Sequence, residues 1–144
     1  MFTARCLVSG NATGTALVIT HPLCISGGVG VPLGEIKDSQ SPHFGLVING
    51  KILVMPRGRG SSTASNALAE LLRLGIGPKG IILLQVDQIL AIGSIVARTL
   101  YRTACPVVVA DLADYNRIST GDNITIQPDG LFSVNFPEVF RSNI

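Results

Sequence analysis

Four consecutive apolar residues, Ile52-Leu53-Val54-Met55, run into Pro56, then into Arg57-Gly58-Arg59-Gly60, and then into Ser61-Ser62-Thr63-Ala64-Ser65. No other stretch of the sequence limits the possible folds as much. The apolar run is short and ends at a proline, so it reads as a strand. From Asn66 to Leu74 the pattern turns helical: Ala64, Leu68, Leu71 and Leu72 fall at i, i+4, i+7 and i+8, on one face. Glu70 and Arg73 lie three apart on the other face and can pair, and Gly75 ends the helix. A strand, a glycine turn and a helix start bring unpaired backbone N–H groups and the positive end of the helix dipole to one spot. Such a junction is an anion cradle.

The cradle is not a nucleotide P-loop. That pattern needs a lysine before its final Ser or Thr, and Gly60 precedes Ser61 here. A plainer reading is that Ser61 or Ser62 only caps the helix and the glycines only serve the turn. Two arginines beside three serines favour the anion-binding reading, because capping requires no guanidinium nearby.

The flanking pattern sets the fold class. Gly80 to Leu84 is a continuous apolar run, as in a strand buried on both faces, and Asp87 caps a helix in which Ile89, Ile92, Gly93, Val96 and Leu100 recur at helical spacing. Pro106 opens the strand Val107 to Ala110. Strand, helix, strand, helix, strand is the signature of parallel pairing with right-handed crossovers. Ala4 to Val8 and Thr15 to Ile19 read as strands separated by a turn over Gly10 to Gly14. Asn123 to Gln127 and Leu131 to Asn135 form a hairpin around Pro128-Asp129-Gly130, and Asp111 to Ser119 is ambiguous. A glycine-rich loop over Ser26 to about Phe44 is long for a compact domain, so it lines a site or packs on a partner. The whole predicts an α/β fold, one compact β/β/α domain over residues 1–144 with antiparallel strands at both ends.

Composition narrows the function. With 47% hydrophobic and 14% charged residues, part of the exterior is expected to be apolar and covered by a partner. A net charge of +2, no Trp and two Tyr argue against nucleic acid. No apolar run is long enough to span a membrane, and the first residues lack the order of a signal peptide. Cys6, Cys24 and Cys105 are odd in number and far apart, which indicates neither disulfides nor a metal or Fe–S site. Each reads as a small apolar filler in a reducing, cytoplasmic protein. His21 and His43, each beside a proline, read as exposed loop histidines.

The run Arg57 to Ser65, with Asp87-Gln88-Ile89-Leu90-Ala91-Ile92-Gly93 and Cys105-Pro106-Val107-Val108-Val109, resembles the small subunit of the aconitase X family. The likeness covers nearly the whole chain, including Gly27-Gly28 and Thr120-Gly121-Asp122. It implies a swivelling domain like that of aconitase, closing over a small-molecule substrate held by a large catalytic subunit. By the same likeness Ser61 is the catalytic base, and Ser62 donates to the substrate. Arg57, Arg59, Gly60, Thr63, Ser65, Gly27 and Gly28 complete the substrate-binding set. Two departures stand out. Thr63 occupies the place of a carboxylate-binding arginine in aconitases, and Gly28-Val29-Gly30-Val31-Pro32 lacks the acidic residue expected after the glycine pair.

The implied chemistry is a dehydration: a proton leaves the carbon α to a carboxylate and a β-hydroxyl is expelled, which needs a base and a Lewis acid. Serine acts as a base only where positive charge and N–H groups stabilise its alkoxide. With no cysteine cluster, this chain is expected to bind no cofactor alone, and the Fe–S cluster or metal is expected on the large subunit. Family members dehydrate cis-3-hydroxy-L-proline or mevalonate 5-phosphate, and the hydroxyproline activity is the favoured expectation. The competing class is a non-catalytic cap or a phosphotransfer-type swivel domain, which would need a histidine at the helix start.

Overall fold

A computed structural model describes residues 2, 4–60 and 62–135. In chain order its elements are β1 (Ala4–Val8), β2 (Ala12–Val18), a short broken turn α1 (Ile25–Gly28), β3 (Val29–Gly30), β4 (Glu35–Ile36) and β5 (Ile52–Met55). After these come α2 (Thr63–Arg73), β6 (Gly80–Leu83), α3 (Gln88–Tyr101), β7 (Val107–Ala110), α4 (Leu112–Tyr115), β8 (Asn123–Ile126) and β9 (Phe132–Asn135). Seven strands form one sheet in the order β1-β7-β6-β5-β2-β8-β9, and β3 pairs with β4 apart from it. The pairs β2–β5, β5–β6 and β6–β7 are parallel, whereas β1–β7, β2–β8 and β8–β9 are antiparallel. The sheet curls until its ends meet. Phe2 N–H donates to Phe132 O at 2.7 Å, Phe132 N–H donates back at 3.3 Å, and the two rings meet edge to face.

Curling gives the sheet an inside and an outside, and each has its own core. Inside lie Ala16, Ile52, Val54, Ile82, Val108, Ile124, Ile126 and Phe132. Outside, Leu17, Leu53, Met55, Ile81, Leu83 and Val107 pack against Leu68, Leu71 and Leu72 of α2 and Leu90 and Ala97 of α3. Both faces of β5 and β6 are therefore dry, which is why their sequences are continuous apolar runs rather than alternating ones. The face expected for α2 is the buried one: Ala64, Leu68, Leu71 and Leu72 are at most 5% exposed. Outside it, Arg73 Nε donates to Glu70 Oε2 at 2.9 Å. Gly93 lets α3 approach α2, since a Cβ there would lie 2.6 Å from Ser65 O.

Three expectations change. The segment Gly10 to Gly14 is mostly strand: β2 starts at Ala12, and Gly14 is needed for close approach, a Cβ there meeting Gly50 O at 3.2 Å. Helix α2 starts at Thr63, a turn earlier than Asn66, because Ser62 already has helical backbone angles. The glycine loop is partly ordered by the β3–β4 pair, and the ambiguous region after Asp111 holds the short helix α4. Among the described residues no helix is long and apolar enough to cross a membrane. The exterior carries apolar side chains, including Val31, Leu33, Phe44, Ile92, Leu100 and Leu112.

Leu68 is fully buried between α2, α3 and the sheet. Leu68→Ala is expected to lower stability by about 2–5 kcal/mol through lost transfer energy and a residual cavity. Urea denaturation checks this, and a loss well below 1 kcal/mol would contradict the packing described.

Candidate active site

The site is built at the carboxyl end of β5, where the chain turns through Arg57 to Gly60 into α2. Asp87 fixes this turn. Its Oδ1 accepts the N–H groups of Ile89 and Leu90, both at 3.1 Å, and so caps α3. Its Oδ2 accepts Gly58 N–H at 2.9 Å. A side chain at 58 would displace Asp87, because a Cβ there would lie 2.8 Å from Asp87 Oδ2. On the opposite side, Arg59 N–H donates to Leu23 O at 3.0 Å, so the turn is held between α3 and the segment leading into α1. Gly60 has φ +116°, a region that side chains rarely adopt, and a Cβ there would meet Cys24 Sγ at 3.0 Å.

Beside this turn lies a cavity of about 380 Å³ lined by Cys24, Ser26, Gly27, Gly28, Asp38 and Arg59. Gly27, Gly28 and Arg59, which the sequence placed around one substrate, are brought together here. Gly60 does not line this cavity, but it lies close to Cys24, which does. Arg57 does not line this cavity; its Nη1 approaches Gly58 O at 3.4 Å. The loop after the glycine pair carries no acidic residue up to Gly34, but a carboxylate from further along the chain, Asp38, lines this cavity. Lys37 N–H donates to Gly28 O at 2.8 Å, which folds the β3–β4 unit back and sets Asp38 at the cavity. There Arg59 Nη2 lies 3.4 Å from Asp38 Oδ2. A second cavity of about 320 Å³ shares Arg59 and Asp38 and is otherwise lined by His21, Pro22, Leu23, Gln40, Ser41 and Pro42.

At the start of α2, Ser62 is exposed and makes no capping bond with its side chain, so its hydroxyl is not an N-cap. Ser65 Oγ is engaged within the turn, donating to Ser62 O at 2.8 Å. Thr63 is exposed. Ser61, the expected base, lies outside the described residues. The contrast with α3 is chemical: a carboxylate closes that N-terminus, while the side chain of Ser62 makes no capping bond at the start of α2.

Sequence reasoning missed Cys24, Ser26 and Asp38, which carry no local signal of their own. It also misread two residue types. Cys105 is a core filler, its thiol pushed up to about 12 by burial, but Cys24 lines the cavity and Cys6 is exposed. His21 is exposed as expected, whereas His43 is half-buried and its Nε2 accepts Thr20 N–H at 3.1 Å. Partial burial, and then the neighbouring His21, lower the pKa of His43 and favour the neutral ring. Among the described residues no three His, Cys, Asp or Glu side chains converge to hold a metal ion.

Residues 1–134 match the model of the aconitase X swivel domain. A cis-3-hydroxy-L-proline dehydratase of Pseudomonas aeruginosa is 40% identical over 103 residues, 72% of this chain but 18% of that protein. This chain therefore spans less than a fifth of that relative's length. A phosphomevalonate dehydratase small subunit of Thermococcus sibiricus is 36% identical over 125 residues, 87% of this chain and 90% of that one. Among solved structures, holo-form aconitase X of Thermococcus kodakaraensis aligns with a TM-score of 0.81 at 32% identity, covering 94% of this chain and 98% of that chain.

Asp87 gives a test that separates its two roles. Asp87→Ala loses both the cap and the Gly58 acceptor and is expected to cost about 1–3 kcal/mol. Asp87→Asn keeps an oxygen for the cap but places an NH2 group where an acceptor was. It should cost less, yet speed amide exchange at Gly58. Unchanged exchange at Gly58 in the Asn variant would contradict the dual role.

Proposed function

The chain belongs to the aconitase X swivel-domain family, and from that premise we propose that it is the small subunit of a two-chain hydro-lyase, supplying the serine base. The reading is carried by one observation: Gly27, Gly28 and Arg59 line one cavity next to a helix N-terminus that Ser62 does not cap with its side chain. In this reading Arg59, rather than Arg57, takes the substrate carboxylate as a charge-assisted pair. Ser61, placed by sequence between Gly60 and Ser62, removes the proton α to that carboxylate. Its alkoxide is stabilised by the α2 dipole and by the guanidinium charge nearby. Ser62 donates to the substrate. The Lewis acid that assists loss of the β-hydroxyl belongs, with its Fe–S cluster or metal, to the large subunit.

The favoured substrate is cis-3-hydroxy-L-proline, dehydrated to a Δ1-pyrroline-2-carboxylate. A specific observation supports mevalonate 5-phosphate as the second reading. Relatives that match 87–90% of this chain over nearly their own whole length are named as small subunits of phosphomevalonate dehydratase, while a hydroxyproline dehydratase is several times longer. Both readings use the same base and the same arginine.

The test is co-expression with a large subunit and assay of the complex against both substrates. The isolated chain is expected to have no turnover. In the complex, Ser61→Ala should lower kcat by several powers of ten with little change in binding, because the hydroxyl acts mainly in the transition state. Arg59→Ala should raise KM, and Arg57→Ala should raise it less. Near-normal turnover by Ser61→Ala would remove the aconitase-like mechanism. Turnover by the chain alone would remove the two-chain reading.

A further inference from the structure

The Arg59 side chain is largely exposed, at 60%, and a guanidinium on a long flexible stem has no reason to stay in one place. Its neighbour Asp38 changes that. Asp38 is the more sheltered partner, with its side chain 32% exposed. Both of its oxygens are in use: Oδ1 accepts Gln40 N–H at 3.0 Å, which fixes the carboxylate to its own turn, and Oδ2 faces Arg59 Nη2 at 3.4 Å. The turn is in turn tied to the glycine pair by the bond from Lys37 N–H to Gly28 O. The Arg59 backbone is separately tied to Leu23. Asp38 and Arg59 both line the cavity beside Gly27–Gly28 and its neighbour beside His21, and their pair stands where the two meet.

We propose that Asp38 is the positioning residue of the site: it holds the Arg59 guanidinium over the glycine pair, so that a substrate carboxylate meets an oriented fork. This rests on the reading of Arg59 as the carboxylate anchor. Asp38 is not the anchor of the substrate carboxylate, because a second carboxylate would be repelled by it. Its charge is satisfied by Arg59 before substrate binds. An incoming carboxylate takes the outer N–H groups of the guanidinium while Asp38 keeps Nη2. Arg59 is thereby shared between a fixed anion and a bound one. The function is carried by side chains 21 positions apart, neither of which signals the other in sequence.

Two measurements test this. In the full chain, the Arg59 side-chain N–H signals should be distinct in NMR spectra and should collapse toward the exposed-arginine position in Asp38→Asn, while Asp38→Glu restores part of the difference. Arg57 serves as the exposed reference in the same spectra. In the complex with the large subunit, Asp38→Asn should raise KM about two- to fivefold, the range expected of a partly exposed pair, with kcat nearly unchanged. The double variant Asp38→Asn/Arg59→Ala should be no worse than Arg59→Ala alone, since Asp38 acts only through Arg59. An unchanged Arg59 signal in Asp38→Asn, or additive effects in the double variant, would overturn the proposal and leave the dehydratase reading standing. A wild-type complex that turns over no hydroxy acid would overturn the dehydratase reading itself, whatever the spectra show, and with it the role given to Asp38.

Discussion

One carboxylate, that of Asp87, accepts three backbone N–H groups from two different parts of the chain. Two belong to the first turn of α3, where a helix cannot supply its own acceptors. The third belongs to Gly58, in the turn that leaves β5. A single side chain therefore sets the start of one helix and the path into another. The geometry allows it because Gly58 has no Cβ to collide with Oδ2 and because Gly93 lets α2 and α3 lie close. The arginine turn then reaches across to Leu23, and the glycine pair, Cys24 and Asp38 assemble on its far side. The cavity is thus a consequence of where the turn is held.

Much of this was legible in the sequence. The β5-α2-β6-α3-β7 order follows from apolar periodicity, and Asp87 is visible as a cap from its place before Gln88 and Ile89. What was not legible shares a cause. Asp38 meets Arg59 and His43 meets Thr20 across more than twenty positions, and local pattern contains no term for such pairings. Strand partners are equally silent. β1 and β2 look like neighbours in sequence, yet β1 joins β7 and β2 runs between β5 and β8. Gly14 shows the ambiguity of a single residue type: glycine marks a turn or a close approach, and only the packing of Gly50 and Ile52 decides for the second. Ser62 looked like a capping serine, and its backbone angles show that the helix has already begun there.

Within this chain the cavity is an open recess. Its known parts are an arginine, a fixed carboxylate, two glycines that permit close backbone approach and a helix start. The apolar side chains at Val31, Leu33 and Phe44 lie exposed on the same loop region that carries the glycine pair and Asp38. Relatives include both a small subunit of about this length and a much longer dehydratase of which this chain covers 18%. Under the proposed function, the chemistry takes place where this face meets the large subunit.

The central claim is that the glycine pair and the arginine turn form one face of a shared site. Hydrogen exchange on the chain alone and in complex with the large subunit tests it most directly. The account predicts that amides at Gly27–Gly28 and at 57–60 slow together on complex formation, while those of Asp129 and Gly130 in the β8–β9 turn do not change. Protection of one loop without the other, or of neither, would contradict it.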